Sequence, residues 1–390
     1  MIKRRGDQQF VKVHNQNLIL EEIIDNERVS RAELSKKLNI SAPSISSNVD
    51  SLLKSGLLQE TGPGSSVSGR KPIMLEFNVD YGYIIGVDLS KGQIVSAVSD
   101  LSGEPKIILE GTKTKNNVGY ELIDLIEEHI RKSIKKAGIE LAAVLVVTIA
   151  SPGIISNQRH IRLDPDQLNW LDADPEQILA ERLQTKVLLE NDINVATVSE
   201  YGRLNSHETC DNMVFISIGR GLGSGLIIEG EIFKGSFGGA GEVALMSSTL
   251  SGNQTSYYEN QISIHALKKK VAQLTGQEAL LIEEDNDVFL QRVQDELMKG
   301  NQEVINLLVA SAKQVALMIC NVAALINPQM IVIGGEMMAL STFLFPEVKK
   351  EIYRIYPFPI ELKVSDQHSN AAIHGSLMIG KEYAVKHLIT

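Results

Sequence analysis

One stretch just past the middle of the chain constrains the fold more than any other, because two apolar runs flank regularly spaced glycines. The first run, residues 214–218, is β-branched and uncharged, which is typical of a buried strand. The second run ends at Glu229-Gly230, a dipeptide typical of a tight hairpin. Between the runs the glycines are alternate residues: Gly219, Gly221, Gly223 and Gly225. The sequence predicts a strand, a glycine turn and a second strand. Glycines there leave room either for a ligand at the backbone N–H groups or for close packing of the chain.

Composition places the chain among soluble globular proteins. Its 390 residues are 43% hydrophobic and 22% charged, and this length is enough for two or three domains. We find no run of about 18 apolar residues and no apolar signal core near Met1, so we expect a cytoplasmic protein without a membrane segment. Two distant cysteines, Cys210 and Cys320, argue against a disulfide framework and against a four-cysteine zinc site.

The charge is unevenly distributed along the chain. Residues 1–75 hold 11 Lys/Arg and 8 Asp/Glu, whereas the remainder holds 27 and 40. A small basic head could bind nucleic acid, while an acidic body would be repelled by it.

The N-terminal residues carry the pattern of a helix-turn-helix. Residues 11–24 have apolar side chains at helical spacing, Ser30 and Glu33 form a capping box for a second helix, and Ser41 is expected to cap a third. The start and outer face of the third helix carry short polar side chains that can approach base edges: Ser41, Ser44, Ser46, Ser47 and Asn48.

A basic wing is predicted to follow the third helix. Residues 62–69 form a tip rich in glycine and serine, Arg70 and Lys71 come next, and residues 73–77 read as a returning strand. Arg70 and Lys71 are therefore candidates for contacts with phosphates or a minor groove. We predict a winged helix-turn-helix DNA-binding domain over residues 1–77. A three-helix module for protein interaction is the alternative.

From Tyr83 onward, strands alternate with helices. Predicted strands cover residues 84–88, 93–99, 106–111, 141–149, 187–189 and 330–333, with the strand at 141–149 taken as central, and predicted helices cover 119–137, 175–183, 302–326 and about 370–386. Two α/β halves, each opening with a strand meander, indicate a doubly wound architecture. In such sheets ligands bind beyond the carboxyl ends of strands, so the polar and glycine residues at several strand ends are expected to converge on one cleft: Asp88, Asn191, Asp192, the 219–225 turn and Gly334-Gly335.

Six motifs together identify a family. They are Gly69-Arg70-Lys71-Pro72, Leu168-Asn169-Trp170, Glu190-Asn191-Asp192-Ile193-Asn194, the 219–225 stretch, Gly238-Gly239-Ala240-Gly241-Glu242 and Ile333-Gly334-Gly335. Over nearly its whole length the chain resembles the ROK family (repressors, open reading frames and sugar kinases), in its xylose-repressor and NagC/Mlc-like repressor type. The resemblance implies an α/β fold of the actin-like, hexokinase-type two-lobed ATPase class, with ribonuclease H-like halves. The lobes would span residues 78–195 and 196–390, behind the winged head.

The resemblance also implies a sugar site. Asn169, Asn191 and Asp192 would hydrogen-bond sugar hydroxyls from one side, and Glu242 and Glu259 would lie opposite. Trp170 is expected to shape the floor of this site. In the family's kinases the residue that matches Asp192 is the general base. The alternative is a purely structural role, in which Asp192 caps the helix that follows strand 187–189.

Two departures from the family's kinases argue against catalysis and against metal. Their first phosphate loop reads Asp-x-Gly-Gly-Thr, whereas this chain has Asp88-Leu89-Ser90-Lys91-Gly92, so we expect no ATP cofactor and no catalytic residue. Leu245 replaces the family's zinc-binding histidine, and residues 251–259 contain no cysteine. We therefore expect no zinc, and Tyr257 and Tyr258 are candidates to hold this loop by packing.

The sequence thus predicts a sugar-responsive transcriptional repressor rather than an enzyme. It would bind operator double-stranded DNA as a homodimer or a tetramer, and a sugar or sugar phosphate would release it. The first alternative is an active sugar kinase that carries a regulatory DNA-binding head. The second is a repressor with an inactive sugar site that a protein partner controls.

Overall fold

In the computed structural model, the described part of the chain comprises residues 8–63, 72–90, 92–113, 117–155, 160–161, 170, 173–205, 210–251, 254–275, 285–366 and 370–389. These residues form a small N-terminal head and two α/β lobes, as the sequence predicts.

The head consists of three helices and a small antiparallel sheet. Its helices are α1 (Gln8–Asn26), α2 (Arg31–Leu38) and α3 (Ala42–Ser55), and its strands, in the order β1-β3-β2, are β1 (Val29–Ser30), β2 (Leu58–Pro63) and β3 (Ile73–Phe77). The capping box is confirmed, because the Glu33 N–H donates to Ser30 Oγ and the Ser30 N–H donates to Glu33 Oε2 at 2.8 Å. The α2–α3 pair and the β2–β3 hairpin therefore make a winged helix-turn-helix.

The first lobe is built on a mixed five-stranded sheet of order β10-β7-β4-β5-β6. Its strands are β4 (Tyr83–Asp88), β5 (Gln93–Asp100), β6 (Pro105–Thr112), β7 (Val144–Ser151) and β10 (Lys186–Asn191), and α4 (Gly119–Ala137) and α5 (Pro175–Leu183) accompany it. A short hairpin joins β8 (Ile154–Ile155) to β9 (His160–Ile161). The predicted strand 141–149 begins three residues late, because residues 141–143 form a 3-10 turn. Its interior position is confirmed, since β7 pairs with β10 on one side and β4 on the other.

The second lobe repeats this plan with a sheet of order β13-β12-β11-β16-β17. Its strands are β11 (Met213–Ile218), β12 (Leu222–Ile228), β13 (Glu231–Ile232), β16 (Met330–Gly334) and β17 (Glu361–Val364), with a separate hairpin of β14 (Ser247–Ser251) and β15 (Gln254–Tyr257). The helices from the lobe junction onward are α6 (Asp192–Asn205), α7 (Glu259–Ile262), α8 (Ile264–Thr275), α9 (Asn286–Met298), α10 (Gln302–Ile326), α11 (Ser341–Ile355) and α12 (Ala371–Lys386). Both sheets open with an antiparallel meander, so the predicted pair of α/β halves is confirmed.

Helix α10 is long and apolar enough to cross a membrane, which the sequence prediction of no such segment did not anticipate. Its residues Leu308, Val315 and Ile319 are buried in the main core of the second lobe, together with Val214 and Ile216 of β11. Its apolar character is therefore used in packing the sheet of that lobe.

The last helix, α12, packs on the sheet of the first lobe although it ends the chain. A Cβ at Gly86 of β4 would lie 2.9 Å from Ser376 Cβ, and one at Gly380 would lie 3.1 Å from Thr148 Oγ1 of β7. Beyond these contacts, Val385 and Leu388 reach the hydrophobic core of the head. Helix α12 and the residues after it therefore contact both the first lobe and the head, although the sequence assigns them to the second lobe.

Candidate functional site

The junction of β10 and α6 places two candidate sugar ligands side by side, and they have different roles. Asn191 is buried: its Oδ1 accepts from the Asn194 N–H at 2.9 Å, and its Nδ2 donates to the Gly153 carbonyl at 2.9 Å. Asn191 therefore caps α6. The alternative that Asp192 is the cap is wrong, because Asp192 Oδ1 instead accepts from the adjacent Ile193 N–H. Asp192 is left as a carboxylate beside the cleft.

Asp192 belongs to a group of four neighbouring carboxylates. Burial raises the pKa of Asp192 to about 7, and the negative charges of Asp88 and Glu242 contribute to the same rise. The pKa of Glu242 is also raised, first by burial and then by the charge of Glu259. Groups that shift each other's pKa in this way lie close together. These effects place Asp192 near Asp88 and Glu242, and Glu242 near Glu259; we refer to these four carboxylates together as the acidic cleft.

A lysine fills the turn that follows β4. The Ser90 N–H donates to Asp88 Oδ1 at 2.8 Å, and Lys113 Nζ donates to the Leu89 carbonyl at 2.6 Å. Burial lowers the pKa of Lys113, while the negative charges of Asp88 and Asp192 act in the opposite direction. Sequence reasoning missed Lys113, since its only local signal is a position directly after β6.

The glycine turn between β11 and β12 is occupied by carboxylates. The Arg220 N–H donates to Glu336 Oε2 at 3.1 Å, and the Leu222 N–H donates to Glu259 Oε1 at 3.2 Å. Glu336 was also missed by sequence reasoning, although it directly follows the quoted motif Gly334-Gly335. Glu259 thus connects the acidic cleft to this turn.

The two glycines further along serve close packing instead. A Cβ at Gly223 would lie 2.8 Å from Ile193 Cγ1, and one at Gly225 would lie 2.1 Å from Thr197 Oγ1. Both neighbours belong to α6, so these glycines let β12 press against that helix. Close packing therefore explains Gly223 and Gly225, whereas the N–H groups beside Gly219 and Gly221 donate to carboxylates of the chain itself.

Several expectations near the cleft need correction. Trp170 is 3% exposed and packs in the core of the first lobe, so it does not form an open floor. Of the two tyrosines expected to hold the β14–β15 hairpin, Tyr258 is buried and accepts a hydrogen bond from Asn321 Nδ2 at 3.0 Å, whereas Tyr257 is exposed. Asn169 lies outside the described residues. Across the described ranges, no group of three or more His, Cys, Asp or Glu residues is arranged to hold a metal ion.

The candidate DNA-contacting residues of α3 are only partly exposed. Ser41 and Ser47 are exposed and Ser44 and Ser46 are half-buried. Ser41 occupies the N-cap position, but its side chain makes no capping hydrogen bond. Asn48 was wrongly placed on the outer face: it is buried, and its Nδ2 donates to the Ser44 carbonyl at 2.8 Å. Arg70 and Lys71 lie outside the described residues.

Several basic side chains of the head form ion pairs with acidic side chains of the head. Arg28 pairs with Glu76, and Lys37 pairs with Glu22 at 2.6 Å. Arg31 contacts two carboxylates, those of Asp50 at 2.9 Å and Glu60 at 3.2 Å. The basic balance of the head therefore overstates the charge that is available for phosphates.

Comparison with known proteins agrees with both parts of this architecture. The model of the ROK family matches residues 84–382, and a model described as winged helix-turn-helix DNA-binding matches residues 14–59. The chain is 28% identical to a xylose repressor of Caldicellulosiruptor bescii, over 95% of this chain and 96% of the relative.

Two solved structures share the fold. One is a ROK family transcriptional regulator described as a homologue of the Escherichia coli MLC protein, with a TM-score of 0.79, 21% identity, and 97% of this chain and 98% of the other covered. The other is a ROK family glucokinase from Streptomyces griseus in complex with glucose and AMPPNP, with a TM-score of 0.62, 19% identity, and 77% and 100% covered. The chain therefore belongs to the ROK family and carries a winged helix-turn-helix head in front of the family's body.

Proposed function

We propose that this protein is a sugar-responsive transcriptional repressor of carbohydrate genes, and that it has no catalytic activity. The observation that carries the proposal is the combination of a winged helix-turn-helix head with a ROK body whose acidic cleft persists beside a turn filled by Lys113. Relatives named as repressors support it. A DNA-binding repressor acts where the chromosome is, so we place the protein in the cytoplasm.

The charge of the cleft supports an uncharged sugar as the effector. Asp88, Asp192, Glu242 and Glu259 are carboxylates, and Lys113 is a cation that lies near Asp88 and Asp192. A phosphorylated sugar would add negative charge to this cluster, whereas neutral hydroxyls donate well to carboxylates. D-xylose is the first candidate, because the relative is named a xylose repressor. Asp192, Glu242 and Glu259 would accept from its hydroxyls, with Asn169 nearby and Asn191 holding the start of α6.

On the DNA side, we propose that a homodimer places two α3 helices in successive major grooves of a two-fold operator. Ser41 and Ser47, and the edges of Ser44 and Ser46, would meet the bases. Arg70 and Lys71 of the wing would bind phosphates or the minor groove. Asn48 would act indirectly by holding Ser44. Alanine at Arg70 and Lys71 should weaken binding to all DNA sequences and flatten its salt dependence, and alanine at Ser47 should alter sequence preference.

The packing offers a route from the cleft to the head. Asp192 begins α6, and a Cβ at Gly375 of α12 would lie 2.0 Å from the Val195 carbonyl of α6, so these helices touch backbone to backbone. Val385 at the far end of α12 and Leu388 just after it pack against the core of the head. A shift of α6 on sugar binding would therefore be carried along α12 and would move the heads off their half-sites.

Calorimetric titration of D-xylose and of D-xylose 5-phosphate, with and without operator DNA, tests the proposal. We expect D-xylose to bind and operator DNA to weaken its affinity by the same factor by which the sugar weakens DNA binding. A phosphorylated sugar that binds better would contradict the charge argument. Neutral and phosphorylated sugars from a wider panel that all fail to bind would favour an inactive cleft under the control of a protein partner. ATP-dependent phosphorylation of any sugar in that panel would establish a kinase instead.

A further inference from the structure

One guanidinium in the head joins α3 and the wing strand β2 to the start of α2. Arg31, the first residue of α2, donates from Nη2 to Asp50 Oδ1 of α3 at 2.9 Å and from Nη1 to Glu60 Oε1 of β2 at 3.2 Å. We propose that Arg31 is a positioning residue for DNA binding, because it fixes the wing against α3 so that both meet the operator in one orientation. This inference rests on the proposed DNA binding by the head and is independent of the sugar site.

The side chain of Glu60 points to the face of the small sheet that packs on the helices. Glu60 is opposite Leu75 in the pairing of β2 with β3, and Leu75 is buried in the core of the head. Residues opposite each other on neighbouring strands project to the same face, so Glu60 lies on the α3 side. Glu76, the next residue along β3, projects to the other face, where it pairs with Arg28. The Arg31 contacts therefore connect sheet and helix, whereas the Arg28 contact stays within the sheet side of the head.

The contacts of the guanidinium lie where the wing bends and where α3 is proposed to read bases. The pairing of β2 with β3 shifts register between Glu60 and Pro63, and Gly62 between them has a φ of +88°. A bulge of this kind bends its strand, so the direction of the wing depends on how β2 is held at Glu60. On α3, Asp50 lies one turn after the exposed Ser47. The guanidinium thus sets the bend of the wing relative to the exposed end of α3.

The surroundings of Arg31 suit a role in geometry. Its side chain is 30% exposed and its Nε atom is buried. A single exposed ion pair contributes little to stability, but a planar guanidinium that binds two carboxylates restrains both of them at once.

A positioning role and a simple charge effect predict opposite results for Glu60. DNA is a polyanion, so removal of a carboxylate from the head should strengthen binding to every DNA sequence if charge alone matters. If Glu60 instead holds the wing for Arg31, its removal should weaken binding to the operator in spite of the favourable change in charge. The sign of the effect therefore distinguishes the two explanations.

Binding of the full-length protein to two DNA duplexes tests the proposal. The first is the duplex that the wild type selects from a random-sequence library, and the second is a scrambled version of it. We expect Arg31→Met to weaken binding to the selected duplex about tenfold, because the wing must then be ordered during binding. Glu60→Gln should weaken it about threefold, since Arg31 keeps its contact with Asp50. Arg31→Lys should restore only part of the affinity, because an ammonium lacks the fork that reaches two carboxylates.

Glu76→Gln is the matched control. It removes the same charge from the neighbouring strand, but on the face that points away from α3. Net charge acts on all DNA sequences alike, so this variant should leave the ratio of selected to scrambled affinity unchanged. That ratio should fall in Arg31→Met and in Glu60→Gln. A head that had merely lost part of its fold would bind both duplexes less well.

Two results would overturn the proposal. One is a ratio that stays unchanged in Arg31→Met or rises in Glu60→Gln, and the other is an equal fall of the ratio in Glu76→Gln. If Arg31→Met does not fold, Glu60→Gln still decides, because it keeps the Arg31–Asp50 pair. A wild-type protein that selects no duplex at all would instead contradict the proposed repressor function, so the two failures are distinguishable.

Discussion

Two turns, one at the end of β4 and one at the end of β11, hold charged side chains of opposite sign. At the first, Lys113 Nζ donates to the Leu89 carbonyl beside Asp88. At the second, the carboxylates of Glu336 and Glu259 accept from the N–H groups of the turn. The positive charge thus meets a carbonyl oxygen at the first turn, and the negative charges meet N–H groups at the second.

The comparison shows that charged side chains of the protein itself can satisfy the polar backbone groups of both turns without an external ligand. A buried backbone group needs a partner, and a charged side chain can supply it as well as a bound ion can. The cost differs between the turns, because burial disfavours the Lys113 ammonium and lowers its pKa. Loss of this ammonium would, however, leave Asp88 and Asp192 without its opposing charge, so we expect the first turn to be the more sensitive of the two to substitution.

Lys113→Met should have the largest effect on stability. It leaves the Leu89 carbonyl without its ammonium donor and removes the cation beside Asp88 and Asp192, so we expect unfolding to cost about 3 kcal/mol less. Lys186→Met is the matched control, since Lys186 forms a surface pair with Glu176 in the same lobe and should lose under about 1 kcal/mol. Chemical denaturation of both variants gives the measurement. Equal losses would mean that Lys113 is an ordinary surface lysine.

Asp192→Asn should weaken sugar binding tenfold to a hundredfold, because a charge-assisted hydrogen bond contributes about 1.5–3 kcal/mol. It should not lower stability, since Asn191 caps α6. Asp211→Asn, an exposed aspartate of the second lobe, is the control. Calorimetry with D-xylose compares the three proteins. An unchanged affinity would remove Asp192 from the site, whereas a lower melting temperature with unchanged affinity would give it a structural role.

The sequence predicted the regular elements well where one residue pattern decides them. Helices 119–137, 175–183 and 302–326 have the predicted bounds, because each has a 3.6-residue apolar period, and the last two also begin at capping side chains, Asp174 and Asn301. The resemblance also assigns Asp192, Glu242 and Glu259 to one sugar site, which stays a prediction. The sequence could not find Lys113 or Glu336, since each acts on a turn far away in the chain. Nor could it distinguish Asn191 from Asp192 as the cap, because adjacent residues compete for one position.

Gly225→Ala tests whether this glycine is needed for the packing of β12 against α6. Its Cβ would lie 2.1 Å from Thr197 Oγ1, so β12 and α6 must separate, and we expect a loss of about 2 kcal/mol. Thr197→Ala removes the obstructing hydroxyl and should recover part of this loss in the double variant. Gly219→Ala has more room and should destabilise less. A double-mutant cycle by thermal denaturation measures the coupling, and an absence of rescue by Thr197→Ala would contradict the packing role.

A pH dependence is also expected, in which sugar affinity and stability change in opposite directions. The pKa of Asp192 is raised from its ordinary value of 3.8 to about 7, so the folded protein holds this proton more tightly than the unfolded chain does. The stabilisation is therefore complete below about pH 4, and the free energy of unfolding falls as pH rises toward 7, by at most about 1.4 kcal/mol per pH unit. Sugar binding needs the ionised carboxylate as an acceptor. Its affinity should thus rise over the same range, by at most about tenfold per pH unit, and level off above pH 7.

Asp192→Asn separates this effect from the other titrating groups of the cleft. The variant keeps Asp88, Glu242 and Lys113, and the pKa of Glu242 is itself raised by burial and by Glu259. Part of the fall in stability with pH should therefore remain in the variant, whereas the rise in sugar affinity between pH 5 and pH 7 should largely disappear. Denaturation and calorimetry at half-unit intervals of pH give both curves. If the variant keeps the full rise in affinity, a carboxylate other than Asp192 accepts the hydrogen bond from the sugar.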